Sequence, residues 1–100
     1  MYVFYGHAEL FLPHSLSLKE KRKTIQSIIA RIRKRFNISI AEVNYQDLWQ
    51  RSSLGFAAVC NTYTDAELMV SVIKDTLDLY EDDCDVVDFF NEINQIQLFR

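Results

Sequence analysis

Residues 17–36, SLKEKRKTIQSIIARIRKRF, place Leu18, Ile25, Ile28, Ile29, Ile32 and Phe36 at intervals of three, four and seven. That spacing lines one face of an α-helix and is incompatible with the two-residue period of a strand. Such a helix has one wet face and one apolar face, so the rest of the chain must supply a layer that covers the apolar one. Ser17 and Glu20 form a capping-box pattern at its start: the hydroxyl accepts from the Glu20 backbone N–H, and the carboxylate is expected to reach back to the N–H of Ser17. The helix is expected to close near Asn37, a residue that tolerates the left-handed conformation common at helix ends.

Charge is unevenly distributed. The same stretch holds Lys19, Lys21, Arg22, Lys23, Arg31, Arg33, Lys34 and Arg35 against Glu20 alone, a net of +7 in a chain whose net charge is −3, so the remainder carries −10. At about 100° per residue, Lys23, Arg31 and Lys34 point away from the apolar stripe, and Lys21 and Arg22 fall on its edges. Both stand in the first turn, where the helix dipole disfavours cations and a carboxylate or bound anion is needed to compensate.

The covering layer reads as sheet. Residues 2–12 alternate, with Tyr2, Phe4, Ala8, Leu10 and Leu12 of one parity and Val3, Tyr5, His7, Glu9 and Phe11 of the other. Pro13 ends that strand. Residues 38–46 and 53–62 read as two further strands, joined by a polar turn over 47–52 that holds the single Trp. In the second of these, Leu54, Phe56, Ala58 and Cys60 form the core side, and Gly55 and Ala57 leave the other nearly flat. Thr64 and Glu67 repeat the capping-box pattern ahead of a helix running to about Tyr80, followed by an acidic turn over 81–83. Residues 85–99 read as a last strand, with Val87, Phe89 and Ile93 on one parity and a switch to Ile96 and Leu98 that predicts a bulge. The order β-α-β-β-α-β, with two right-handed crossovers, gives a ferredoxin-like α+β sandwich: a four-stranded antiparallel sheet with both helices on one face.

Composition narrows the class. One hundred residues, 49% hydrophobic, with two glycines and one proline, make a single domain over 1–100 with no linker or low-complexity tract. No apolar run approaches the roughly 20 residues of a membrane span, and no basic segment precedes the first apolar stretch as in a signal peptide, so a cytoplasmic protein is expected. Cys60 and Cys84 lack metal-ligand spacing and read as buried free thiols. No glycine-rich phosphate loop is present, which argues against nucleotide hydrolysis, and neither a cofactor nor a metal is expected.

SLKEKR at 17–22 and AEVNYQDLWQRSSLGFAAV at 41–59 resemble the YlxP-like family of small bacterial proteins of unknown function, and the resemblance covers nearly the whole chain. It implies a ferredoxin-like fold and no catalytic residues. Members are often encoded beside translation-initiation and ribosome-maturation factors, which implies a role around the ribosome.

The basic helix has two readings. As a binding face, Lys19, Lys23, Arg31, Lys34 and Arg51 would neutralise phosphates of ribosomal or other structured RNA. As a solvated face, it would be balanced by the acidic stretch 65–92, whose net charge is −9. The isoelectric point of about 5.2 opposes nonspecific binding to nucleic acid but leaves room for a local positive patch. At the helix start, Ser17, Lys21, Arg22 and Asp47 form either an anion pocket or an internal ion-pair site, with Glu42 or Asp47 pairing to Lys21 or Arg22. Trp49 is either a platform for a stacked base or a ring folded back over the core edge. The face of the sheet away from the helices is a poor base-stacking surface, because Ser53, Gly55, Ala57 and Val59 carry no aromatic ring. It suits sheet-on-sheet contact better, so a homodimer or docked protein partner is expected there through Val3, Tyr5 and Phe11. His7 and His14 have no nucleophile or carboxylate at a catalytic spacing, and a non-enzymatic protein is expected.

Overall fold

The computed structural model describes residues 1–97. In chain order the elements are β1 (Tyr2–Phe11), α1 (Leu18–Arg35), β2 (Ser39–Asn44), β3 (Arg51–Cys60), α2 (Tyr63–Asp78) and β4 (Asp85–Gln95). The strands form one antiparallel sheet in the order β2-β3-β1-β4. Strands β1 and β2 are therefore parallel with β3 between them, and β3 and β4 are parallel with β1 between them. Each such pair needs a crossover, which α1 and α2 supply. This is the ferredoxin-like sandwich expected from the pattern.

The core lies between the sheet and the two helices. From β1 come Phe4, Ala8 and Leu10, from β3 Leu54 and Phe56, and from β2 Ile40. Facing them are Ile25, Ile28 and Ile32 of α1 and Ala66, Val70, Ile73 and Leu77 of α2. Full burial of each large aliphatic side chain contributes about 1.5–3 kcal/mol. Gly6 lies on the same side of β1, where an added Cβ would collide with the Phe90 carbonyl oxygen and lie 2.9 Å from the Phe56 ring. That position lets β1 and β4 approach fully. Cys60 and Cys84 are free and buried, as expected.

Several local details differ from the sequence reading. Ser17 does cap α1, accepting from Glu20 N at 3.1 Å, but the Glu20 carboxylate takes the N–H of Leu16 at 2.5 Å instead of that of Ser17. Helix α1 ends on Phe36 in an extended conformation (φ −145°), so Asn37 supplies no left-handed cap. Helix α2 starts two residues before the expected Thr64 box: Thr62 is its cap, accepting from Asp65 N at 3.1 Å. Strand β2 stops at Asn44 and β3 begins at Arg51, so Ser52 belongs to the sheet and not to the turn.

The irregularities in pairing fall at Val43, opposite Leu54 and Ser53, and at Val87, opposite Glu9 and Leu10. The second re-phases β4, leaving Val87 exposed while Phe89 and Ile93 pack on the core. Strand β4 ends at Gln95, short of the expected reach: Ile96 lies beyond it, exposed, with its N–H on Met1 O at 2.7 Å, and the expected switch to Leu98 and extension to Phe99 lie outside the described residues. No helix among the described residues is long and apolar enough to cross a membrane.

Candidate nucleic-acid interface

Helix α1 packs through Lys21, Ile25, Ile28 and Ile32, so the opposite side faces water. Lys19, Lys23, Arg31 and Lys34 are all exposed there. At about 100° and 1.5 Å per residue they occupy a sector of about 120° and span about 22 Å along the axis. Among the described residues none of the four is in an ion pair. The Arg31 guanidinium lies 5.7 Å over the Tyr80 ring, whose hydroxyl is 2.7 Å from Ser27 Oγ. Arg33 turns the other way, donating from Nη2 to Ile40 O of the edge strand β2 at 2.7 Å.

Lys21 does not sit at the edge of the apolar stripe. It is 0% exposed, and its ammonium lies 3.0 Å from Glu42 Oε2. It also donates to Tyr45 O at 2.7 Å, Gln46 O at 3.2 Å and Arg51 O at 3.3 Å. Glu42 accepts in turn from Ser52 Oγ at 2.6 Å. The site at the helix start is thus an internal ion pair that anchors the β2–β3 loop. Its carboxylate is Glu42; Asp47 and Arg22 are exposed and take no part.

The anchored loop has a strained backbone. Tyr45 has φ 63°, in the left-handed region, and its N–H is taken by Asn44 Oδ1 at 2.8 Å. Gln50 ties the loop to the β1–α1 connection, donating from Nε2 to Pro13 O and Ser15 O at 3.2 Å, while its own carbonyl accepts from Leu12 N at 2.8 Å. From this braced base Trp49 projects outward, 54% exposed, with Leu48 beside it in sequence also exposed. It does not fold back over the core edge.

Arg51 is not part of the α1 surface. It lies on the helix-free face of the sheet, 4.4 Å over the Tyr45 ring and 3.5 Å from Glu9 Oε2. The same face carries Val3, Tyr5, His7 and Phe11 of β1 and Phe90 of β4. Tyr5 and Phe11 are exposed and Val3 is half-buried. Tyr5 donates to Glu92, and that hydrogen bond, with partial desolvation and the carboxylate charge, raises the phenol above its ordinary pKa. The His7 ring stacks on Phe90 at 5.8 Å.

A cleft of about 400 Å³ opens between α1 and the turn before β4, lined by His14, Glu20, Lys23, Tyr80 and Asp83 among others. It brings two carboxylates near Lys23 without an ion pair to either.

The burial of Lys21 had a sequence signal: it stands four residues before Ile25 and seven before Ile28, just inside the edge of the stripe, between Ile28 and Ile32 around the helix. The Tyr80–Arg31 contact and the Gln50 brace had none, since both depend on how distant segments meet.

A family model described as "Protein of unknown function (DUF503)" matches residues 3–90. The chain is 41% identical over 63 residues to the uncharacterized protein YlxP of Bacillus subtilis (strain 168), covering 63% of this chain and 68% of that one. Its fold is similar to the solution NMR structure of a de novo designed ferredoxin-fold protein, with a TM-score of 0.56 at 11% identity, over 96% of this chain and 88% of the other. The match over residues 3–90 establishes that the chain belongs to the DUF503 family of proteins of unknown function.

Proposed function

We propose that this protein is a non-enzymatic, cytoplasmic accessory factor that binds structured RNA, at the ribosome, by laying α1 against the phosphate backbone. The observation that supports it is the row Lys19, Lys23, Arg31 and Lys34, exposed and without ion-pair partners among the described residues, on a chain of net charge −3. Cations that merely solvate a helix gain little from alignment, whereas a phosphate strand rewards it by releasing counterions at each contact. The acidic remainder restricts binding to this one surface and opposes indiscriminate adhesion to nucleic acid. The ribosomal setting rests on the resemblance of 17–22 and 41–59 to the YlxP-like family.

Co-sedimentation with ribosomal subunits across a salt series tests the reading. Binding should weaken steeply with salt, and the triple variant Lys23→Glu, Arg31→Glu, Lys34→Glu should no longer sediment with the particle. Unchanged sedimentation of that variant would overturn the reading.

A further inference from the structure

The helix-free face of the sheet divides into two unlike halves. Its cross-strand rows run Glu92–Tyr5–Ala57–Ser39 and Phe90–His7–Gly55–Ala41 from β4 through β1 and β3 to β2. The β1/β4 half is a ridge of rings, with Phe90 packed against both Tyr5 and His7. The β2/β3 half is a shallow trough floored by Ser39, Ala41 and Ala57 and closed at one end by the exposed Val43, whose side chain lies over Gly55. Tyr5 and Phe90 are 42% and 44% exposed, so among the described residues nothing covers these two rings, and His7, stacked on Phe90, is half-buried.

We infer that this face is covered by a second copy of the same chain. A twofold axis parallel to the strands, passing between β3 and β1, lays β1 over the partner's β3 and β4 over the partner's β2 without changing the row. Tyr5 then stands over the partner's Ala57 and Phe90 over the partner's Ala41, large side chain over small in both directions. An isologous interface requires this self-complementarity. Strands of 10, 6, 10 and 11 residues, spaced about 4.8 Å apart, offer about 600 Å² per copy, or about 1,200 Å² in all, the lower bound for a stable association. A micromolar dimer is therefore expected.

Charge argues for a protein occupant over RNA on this face. Glu9, Asp88 and Glu92 line it, and its Arg51 is already paired with Glu9. The acids Asp88 and Glu92 belong to the edge strand, at the rim of such an interface, where water still solvates them. In the dimer the two α1 surfaces point outward on opposite sides, so neither is covered.

Sedimentation velocity and light scattering between about 1 and about 200 µM, without nucleic acid, test the inference. The wild-type chain is expected to dimerise within that range. Ala41→Lys and Phe90→Glu, both at exposed positions, should each raise the dissociation constant at least about tenfold, with a thermal midpoint unchanged at concentrations where the wild-type chain is monomeric. The double variant should recover most of the loss, because it sets each new lysine over the partner's new glutamate. Lys34→Glu, on the opposite face, should leave the constant unchanged. A wild-type monomer throughout, or a dimer that both single variants leave intact, overturns the inference. A double variant that stays monomeric overturns the placement of β4 over the partner's β2, and the inference with it. The failure of this assay leaves the RNA reading standing, since that reading requires only α1.

Discussion

Lys21 Nζ lies 3.0 Å from Glu42 Oε2, and this pair joins the first turn of α1 to β2 inside the core. The ammonium is fully buried, but its four oxygen neighbours replace the water it gave up. Two of those neighbours, Tyr45 O and Gln46 O, belong to the β2–β3 loop. One side chain therefore links a helix, an edge strand and the base of the loop that displays Trp49.

Breaking this pair from one side should be costly. Lys21→Met leaves the Glu42 carboxylate and three carbonyls without their donor, and a loss of about 3–5 kcal/mol is expected. Lys21→Met combined with Glu42→Leu should recover part of it, because no unpaired charge then remains. Urea unfolding followed by far-UV circular dichroism measures both; a Lys21→Met midpoint equal to wild type would contradict the burial.

The start of α2 can be checked by substitution at two threonines. Thr62→Ala removes the cap on Asp65 N and should cost about 1 kcal/mol. Thr64→Ala, two residues further in and exposed, should change stability by less than about 0.5 kcal/mol. The reverse order would place the cap at Thr64.

Cys84 should make stability fall in alkali. Burial, together with Asp83 and Asp85, raises its thiol to about 11 from 9.0. Because the folded protein holds this proton more tightly than the unfolded chain, the contribution is complete below pH 9 and is lost as the pH rises toward 11. Thermal midpoints should decline over that window, and Cys84→Ala should flatten the decline relative to wild type. An aromatic disulfide reagent should also modify native Cys84 only slowly at neutral pH.

Trp49 stands in solvent, so its emission should resemble that of free indole and be quenched efficiently by acrylamide. Trp49→Ala should alter stability by no more than about 0.5 kcal/mol. A blue-shifted, protected Trp49 in the free protein would contradict its exposure.

Along α1, each phosphate contact removed should lower the slope of log binding constant against log salt by about 1. Lys19→Ala, Lys23→Ala, Arg31→Ala and Lys34→Ala are expected to act alike and additively. Arg51→Ala, on the other side of the sheet, should not alter the slope. Filter binding of ribosomal RNA at several salt concentrations gives the comparison.

The strand and helix order was legible because period-two and period-3.6 patterns alternate cleanly through 1–97, and the Ser17 cap was legible from its own side chain. The bulge at Val87 was not, because Val86 and Val87 are equally apolar, both end up exposed, and only pairing with β1 decides which one drops out of register. The net charge of +7 over 17–36 overstates what reaches the outer surface: Lys21 is internal and Arg33 is spent on Ile40. Charge composition records how many cations a segment holds, whereas their exposure depends on where distant carbonyls and carboxylates come to rest.

The Arg33 guanidinium on the Ile40 carbonyl also bears on how the molecule tolerates crowding. Strand β2 is one margin of the sheet, and an extended chain approaching it finds that acceptor already taken. At the other margin, Asp85, Asp88 and Glu92 of β4 repel a like strand from another molecule. Lateral growth into fibrils is discouraged at both borders, and concentrated stocks should remain free of cross-β deposits.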